Sequence, residues 1–360
     1  MSGVQMIRIG EDDGDQRLDR WLKKKFPQLT QGAVEKMCRT GQLRVDGGRV
    51  KASTRIAPGQ EVRVPPLPDP AAPANDVGTA ADRPVPAAAR SAITDSDERM
   101  IQAAVLWKDQ HIIALNKPPG LPSQGGSGQG DRHVDGLTTA LMFGYKDRPK
   151  LVHRLDKDTS GVLLLARTDR VARGLSEAFR SRSTRKIYWA AVAGVPNPRM
   201  GTIRYGLVKA GGHGRGGEGE KMIAVHPRDI DATEGAKRAT TDYAVLDALG
   251  TRASWCALVP ITGRTHQLRA HMAELGHPII GDGKYGGSGQ ENRGDGWGAQ
   301  LGGEISRKLH LHARSLTFDH PITGQRMTVT APLPDHMTRT WATLGWAEAD
   351  VPADPFAEDE

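Results

Sequence analysis

The chain has 360 residues, and its 38% hydrophobic and 25% charged residues are typical of a soluble protein with a large domain and a small one. No apolar run approaches the roughly 20 residues that a membrane span needs, and residues 1–15 are too polar for a signal peptide. The two cysteines, Cys38 and Cys256, lie far apart, which argues against a disulfide framework or a zinc cluster. We therefore expect a cytoplasmic protein.

The charge distribution indicates the kind of partner. The net charge is +7, but residues 346–360 hold six carboxylates and no Lys or Arg, so the rest of the chain carries +13. A basic body favours a polyanionic partner, nucleic acid before a membrane surface, although many proteins that bind neither are also basic. Residues 346–360 are predicted to form a disordered acidic tail.

Residues 15–64 predict a small domain of two helices and a hairpin. Apolar residues between 18 and 26 recur at helical spacing, Thr30 is a candidate N-cap for a second helix that Gly41 closes, and residues 43–64 alternate around the turn Asp46-Gly47. Nine basic residues surround this core, which favours a phosphate-contacting surface over a merely solvated face: Arg17, Lys23, Lys24, Lys25, Arg39, Arg44, Arg49, Lys51 and Arg55.

The order of these elements, with Gly-x-Leu-x-Val-Asp-Gly followed by Ala-Pro-Gly-Gln-Glu-Val-Arg-Val, resembles the S4 RNA-binding domain. That resemblance implies binding to structured RNA, and we predict Arg39, Arg44 and Lys51 as RNA contacts. Residues 65–99 are rich in Pro and Ala and predict an extended linker to the second domain, which spans residues 100–345.

The most informative stretch is His153-Arg-Leu-Asp-Lys-Asp-Thr-Ser-Gly161, which leads directly into five apolar residues. The apolar run predicts a buried strand, so the charged loop before it would stand at the mouth of a sheet. A bare Arg-Leu-Asp tripeptide favours a turn whose carboxylates pair with Arg154 and Lys157. The full string, however, resembles the catalytic motif of the RluA-type pseudouridine synthases, and that resemblance implies Asp156 as the nucleophile or general catalyst and Arg154 as an RNA contact.

Two strands are predicted ahead of this loop, at residues 105–109 and 111–117. The second ends in Leu-Asn-Lys-Pro-x-Gly-Leu, which also resembles the family. Lys117 is either a substrate contact or a solvated strand end, and the sequence leaves both alternatives open.

A strand is predicted at residues 184–192, with Lys186 and Tyr188 on one face. A strand tyrosine is usually a core residue. The Lys-x-Tyr pair resembles the second motif of the family, and this resemblance implies that Tyr188 stacks on the target uracil and that Lys186 lies beside the RNA.

Thr-Gly-Arg-Thr-His-Gln-Leu-Arg-x-His, beginning at Thr262, is the third stretch that resembles the family. Thr265 is a candidate N-cap for the helix that follows, and Arg269 lies off its apolar stripe. The resemblance implies that Arg269 pairs with Asp156, and we predict Arg264 and His266 as RNA contacts. His266 and His271 are five residues apart, which does not suit a metal site on a helix.

The resemblance covers residues 101 to about 335, with the S4-like unit placed N-terminally as in the RluC and RluD types. It implies an α/β (α+β) fold with a mixed, largely antiparallel central sheet and a catalytic cleft. The implied reaction isomerises uridine to pseudouridine in RNA, needs no cofactor or metal, and most closely suits large-subunit (23S) ribosomal RNA. We expect a monomer that binds RNA and no membrane.

Alternative functions remain open at this stage. Within the family the substrate could be transfer RNA or both kinds of RNA. Outside it, the chain could be a non-catalytic S4-type RNA-binding or ribosome-assembly protein. A third alternative is a hydrolase that uses Asp156 with Asp158, although two carboxylates two residues apart in a turn seldom face one ligand.

Overall fold

The computed structural model describes residues 4–10, 13, 16–26, 28–67, 93–125, 132–181, 183–210, 221–286 and 305–357. The chain divides into an N-terminal unit, residues 1–86, and a C-terminal unit, residues 87–360. Two Gly-rich stretches, within residues 211–220 and 287–304, and most of the predicted linker lie outside the described residues. Across those residues, no helix is both long and apolar enough to cross a bilayer.

The N-terminal unit is a small α/β domain around one apolar core. Its helices are α1 (Leu18–Lys25) and α2 (Gln31–Arg39), and its strands are β1 (Gln5–Arg8), β2 (Gln16–Arg17), β3 (Arg44–Val45), β4 (Gly48–Arg49), β5 (Arg55–Ile56) and β6 (Glu61–Val64). The Thr30 hydroxyl accepts the amide of Ala33, as its predicted role as N-cap requires. β1 pairs with β6, so the unit begins upstream of the predicted boundary at residue 15.

The C-terminal unit is built on one large sheet. Its strands are β7 (Val105–Lys108), β8 (Ile112–Lys117), β9 (Lys150–Leu151), β10 (Ser160–Ala166), β11 (Arg185–Ala193), β12 (Met200–Lys209), β13 (Met222–Val225), β14 (Lys237–Leu249), β15 (Ala253–Pro260), β16 (Leu311–Asp319) and β17 (Arg326–Thr330). The helices are α3 (Asp95–Ala103), α4 (Val134–Leu137), α5 (Asp169–Ser181), α6 (Gln267–Glu274) and α7 (Asp335–Leu344).

The sheet runs in the order β13-β12-β14-β15-β11-β16-β10-β8-β7, with β17 beside β16 and β9 beside β10. Every pair is antiparallel except β10 with β16, which confirms the predicted mixed, largely antiparallel sheet. Alternate residues of β11 face opposite layers. Trp189 packs toward α7 on one side, whereas Ala190 packs toward α6 on the other.

The predicted linker is too long at its C-terminal end, because residues 95–99 form the first turns of α3. Thr94 caps this helix by accepting a hydrogen bond from the amide of Asp97. Acidic residues in the first turn interact favourably with the positive end of the helix dipole. The helix is anchored by Ile101, which is fully buried in the core beside α4.

Residues 346–357 of the predicted disordered tail are ordered and packed on the C-terminal unit. Trp346 is buried against Trp255 and Trp341. Asp354 accepts two hydrogen bonds from the Arg185 guanidinium, at 3.0 and 2.9 Å. Composition alone missed this segment because one buried indole and one bidentate ion pair hold an otherwise polar stretch in place.

Candidate active site

A cleft of about 630 Å³ opens on the C-terminal unit. Seven of the predicted site residues line it, and they come from the loop before β10, from β11 and from the segment that leads into α6: Arg154, Asp156, Lys186, Tyr188, Arg264, His266 and Arg269. Residues more than a hundred positions apart in the chain therefore meet in one concave surface, as expected of a binding or catalytic site.

The strand that follows the Asp156 loop is fixed by a close backbone approach. Gly161 has φ of +110°, and a Cβ at this position would lie 2.2 Å from the backbone oxygen of Ala313 on β16. Only glycine allows β10 and β16 to pair here. Just before it, the Ser160 hydroxyl bonds Nδ1 of buried His312 at 2.8 Å. The loop therefore ends at a rigid point of the sheet.

The segment 117–123 holds the Asp156 loop from its other side. The buried Ser123 hydroxyl accepts the amide of Leu155 at 3.0 Å and donates to the carbonyl of the same residue at 2.7 Å. The carbonyl of Lys157 accepts the amide of Gly120 and the ammonium of Lys117, both at 2.9 Å. Hydrogen bonds thus hold the backbone in place on both sides of Asp156.

Both sequence alternatives for Lys117 are wrong. The residue is fully buried, so it is neither a solvated strand end nor an RNA contact. Its ammonium donates to the carbonyls of Pro118, Leu121 and Lys157, at 3.0, 2.8 and 2.9 Å. Burial lowers the pKa of Lys117 to about 7, and the carboxylates of Asp158 and Asp156 oppose that shift. Lys117 therefore supports the Asp156 loop from the protein interior.

Arg269 has two acidic neighbours. Its guanidinium donates to both oxygens of Asp282, each at 2.7 Å, while its Nη1 lies 3.7 Å from Oδ2 of Asp156. Burial by itself would lower the pKa of Arg269, but the bonds to Asp282 outweigh it and the pKa is raised. The implied pairing with Asp156 is therefore secondary in this structure, because Asp282 takes the bidentate position and orients the arginine.

His266 also faces the Asp156 carboxylate. Its Nε2 lies 3.8 Å from Oδ2, and its Nδ1 is 3.0 Å from the hydroxyl of Tyr285. The residue has φ of +51°, in the left-handed region, and it immediately precedes α6. The helix therefore starts at Gln267 and not after Thr265, and the unusual backbone turns the imidazole into the cleft.

Tyr188 presents a protonated phenol to the cleft. Burial, and secondly the negative charge of Asp156, raise the pKa of Tyr188. On the same face of β11, the ammonium of Lys186 lies 5.2 Å from the ring centre of Phe179, and burial lowers the pKa of Lys186. One wall of the cleft thus combines aromatic surface with a desolvated cation, a combination that suits a nucleobase and its phosphate.

The other predicted RNA contacts differ in how accessible they are. Arg154 and Arg264 are exposed at the cleft. In the N-terminal unit, Arg39 and Lys51 line a depression of about 640 Å³. The Arg44 guanidinium donates to the carbonyls of Gly41 and Gly47, so it also braces the hairpin.

The geometry argues against the two-carboxylate hydrolase. Asp158 is exposed and does not line the cleft, so Asp156 has no second carboxylate from that loop to act as its acid or base. Within the described ranges, no three His, Cys, Asp or Glu side chains are grouped as metal ligands.

Three residues that support the site were missed by sequence reasoning: Ser123, Asp282 and Tyr285. Asp282 and Tyr285 stand in Gly-Asp-x-Lys-Tyr-Gly, residues 281–286, where no local pattern marks them as partners of Arg269 and His266. Ser123 carries no local signal, since its partner Leu155 is 32 positions away.

Comparison with known proteins agrees with this geometry. Residues 111–274 match the sequence model of the RNA pseudouridylate synthase family, and residues 16–62 match that of the S4 domain. The fold and the cleft define an enzyme that isomerises uridine in RNA. The chain belongs to the RluA-type pseudouridine synthase family, and it carries an N-terminal S4 RNA-binding domain.

Individual relatives are similar along nearly the whole chain. The ribosomal large subunit pseudouridine synthase C of Yersinia pestis is 33% identical over 343 residues, which cover 93% of each chain. The protein of that name in Vibrio cholerae is 31% identical over 335 residues, 93% of this chain and 95% of that one. The solved structure of human RNA pseudouridylate synthase domain containing 4 has a TM-score of 0.54 at 30% identity, and covers 69% of this chain and 95% of that chain.

Proposed function

We propose that this pseudouridine synthase acts on large-subunit ribosomal RNA and that Asp156 is its catalytic nucleophile. The proposal rests mainly on the position of Asp156. Its side chain is about one quarter exposed in the cleft, and nitrogen atoms of Arg269 and His266 lie within 4 Å of its Oδ2. A carboxylate is the nucleophilic form of an aspartate side chain, and neighbouring N–H groups with a positive charge stand close enough to interact with it. Transfer RNA is the alternative substrate.

The substrate proposal draws support from three observations. The relatives with 31–33% identity are named as large-subunit synthases. The N-terminal unit matches the S4 domain, and the chain outside residues 346–360 carries a charge of +13. A basic surface with an RNA-binding module suits a large structured RNA, because phosphate contacts supply most of the affinity.

The chemistry assigns each group a task. Isomerisation breaks the N1–C1′ bond, joins C5 to C1′, releases the C5 proton and leaves a proton on N1. The target base must leave its stack to reach Asp156, and Tyr188 offers the surface that receives it. Exposed Arg154, two residues before Asp156 in the same loop, is placed to contact the displaced strand. Arg269, held by Asp282, keeps positive charge beside the carboxylate throughout.

The test measures tritium released from RNA labelled at uridine C5, with large-subunit ribosomal RNA and bulk transfer RNA compared. We expect release from ribosomal RNA by the wild type, loss of at least about a thousandfold for Asp156→Ala and Asp156→Asn, and unchanged RNA binding. Asp158→Asn is the matched control, because it removes an exposed carboxylate two residues away.

Each outcome separates the alternatives. Full activity of Asp156→Ala would refute the catalytic assignment. Release from transfer RNA alone would refute the ribosomal substrate while keeping the reaction. Wild-type protein that binds RNA but releases no tritium from either substrate would favour the non-catalytic RNA-binding alternative.

A further inference from the structure

The hydroxyl of Tyr285 lies behind the cleft and contacts His266. It accepts the backbone amide of Met222, the first residue of β13, at 2.8 Å, and it is 3.0 Å from Nδ1 of His266. Tyr285 itself does not line the cleft, whereas His266 does. The hydroxyl of Tyr285 therefore reaches the cleft through the imidazole of His266.

The two contacts of the hydroxyl decide which imidazole nitrogen carries the proton. The Met222 amide can only donate, so the hydroxyl accepts there and has its own proton to give. Among the residues that the structure describes, His266 Nδ1 is the acceptor within hydrogen-bond range of that proton. A neutral imidazole that accepts at Nδ1 carries its hydrogen on Nε2.

Nε2 is the nitrogen that faces the catalytic carboxylate, 3.8 Å from Oδ2 of Asp156. Burial is the main influence that lowers the pKa of His266, and Arg269 and Lys284 add to it, while Asp156 and Asp282 oppose it. The ring is therefore neutral at pH 7. Its single N–H can point toward the carboxylate of Asp156 only if the hydrogen is on Nε2.

We propose that Tyr285 is a positioning residue that holds His266 in the Nε2–H tautomer, so that His266 and Arg269 together present N–H donors to Oδ2 of Asp156. The other tautomer would turn a nitrogen lone pair toward the carboxylate and repel it. The inference builds on the proposed catalytic role of Asp156. It gives the tyrosine of Gly-Asp-x-Lys-Tyr-Gly a defined task in the reaction.

The test is the single-turnover rate of tritium release with excess enzyme, from pH 5.5 to pH 8.5. Tyr285→Phe keeps the ring that lies 5.2 Å from the Arg269 guanidinium and removes only the hydroxyl. We expect the rate at pH 8 to fall about tenfold, the equivalent of one hydrogen bond to a charged group. The defect should shrink only below the lowered pKa of His266, because a protonated imidazole carries hydrogen on both nitrogens.

Two further variants separate this role from a purely structural one. His266→Gln places a side-chain amide donor in the cleft that has no tautomers, so adding Tyr285→Phe to it should change the rate less than twofold. Tyr243→Phe is the matched control, since its buried hydroxyl donates to the carbonyl of Pro198 at 2.9 Å and lies outside the cleft lining. We expect it to leave the rate unchanged.

Two results would overturn the inference: a Tyr285→Phe rate within twofold of wild type at pH 8, or additive losses in the double variant. Failure of the proposed function looks different. In that case Asp156→Asn would keep its activity, whereas the inference alone fails when Asp156→Asn is inactive and Tyr285→Phe is unaffected.

Discussion

Replacing Ser123 with alanine tests how the loop that carries Asp156 is held in place. The Ser123 hydroxyl is the partner of both the amide and the carbonyl of Leu155, the residue directly before Asp156. Both Ser123 and Leu155 are more than nine-tenths buried, so water does not readily replace the lost bonds. Ser123→Ala should therefore both destabilise the fold and loosen the carboxylate.

The magnitude follows from the two backbone groups left without partners. Each buried and unsatisfied amide or carbonyl costs about 1–3 kcal/mol, so we expect the loss of both bonds to lower the free energy of unfolding by about 2–6 kcal/mol. A displacement of the carboxylate by about 1 Å costs up to about a hundredfold in rate. We expect a loss of ten- to a hundredfold in the single-turnover rate, with RNA affinity unchanged.

Urea unfolding gives the stability, and tritium release at a temperature where the variant stays folded gives the rate. Ser254→Ala is the matched control, because its fully buried hydroxyl donates to the carbonyl of Gly194 at 2.8 Å and lies away from the cleft. It should lose stability and keep the wild-type rate. A Ser123→Ala protein with a rate within twofold of wild type would refute the reasoning that this hydroxyl positions Asp156.

Two further predictions concern buried charge. Asp282→Asn removes the carboxylate that binds Arg269 in a bidentate fashion, and urea unfolding should show a loss of about 3–5 kcal/mol because the arginine keeps its buried charge. Burial is the main influence that lowers the pKa of His310, to about 4. Between pH 6.5 and about 4 the unfolded chain binds a proton that the folded protein does not. Through this residue, the free energy of unfolding should therefore decrease by about 1.4 kcal/mol for each unit by which the pH is lowered. His310→Gln should remove that part of the pH dependence.

The controls for these two predictions use exposed residues. Asp231→Asn removes an exposed carboxylate that also pairs with an arginine, Arg238, and it should change the unfolding free energy by less than about 1 kcal/mol. His226→Gln replaces an exposed histidine and should leave the pH slope as in the wild type. An Asp282→Asn variant as stable as wild type, or a His310→Gln variant with an unchanged slope, would contradict the respective argument.

Local pattern was sufficient for the elements that carry the proposed catalytic groups. The apolar run after Gly161 predicted the buried strand β10, and alternation in residues 184–192 predicted β11 with Lys186 and Tyr188 on one face. These predictions succeeded because a strand buries either every second residue or all of its residues. Both patterns can be recognised from consecutive residues of the sequence. The family resemblance then supplied the reaction that such patterns do not encode.

Only the tertiary structure decided which partner each buried polar group takes. Lys117 is the last residue of an apolar strand and looks like a solvated end, yet its ammonium donates to the carbonyls of Pro118, Leu121 and Lys157. Arg269 was expected on Asp156, but Asp282 lies nearer. Arg269 and Asp282 are 13 positions apart, and Lys117 and Lys157 are 40 positions apart. Strand register and loop packing set such pairings, so local periodicity does not indicate them.

The C-terminal segment also shows which features the local sequence predicts and which only the tertiary structure determines. Composition predicted a disordered tail, but the buried Trp346 and the pairing of Asp354 with Arg185 hold residues 346–357 on the sheet. The sequence by itself determined the two-part organisation, the family and the residues of the proposed reaction. The fold alone determined how Ser123, Asp282 and Tyr285 support that reaction, because a hydrogen bond of about 3 Å depends on coordinates that many distant contacts set together.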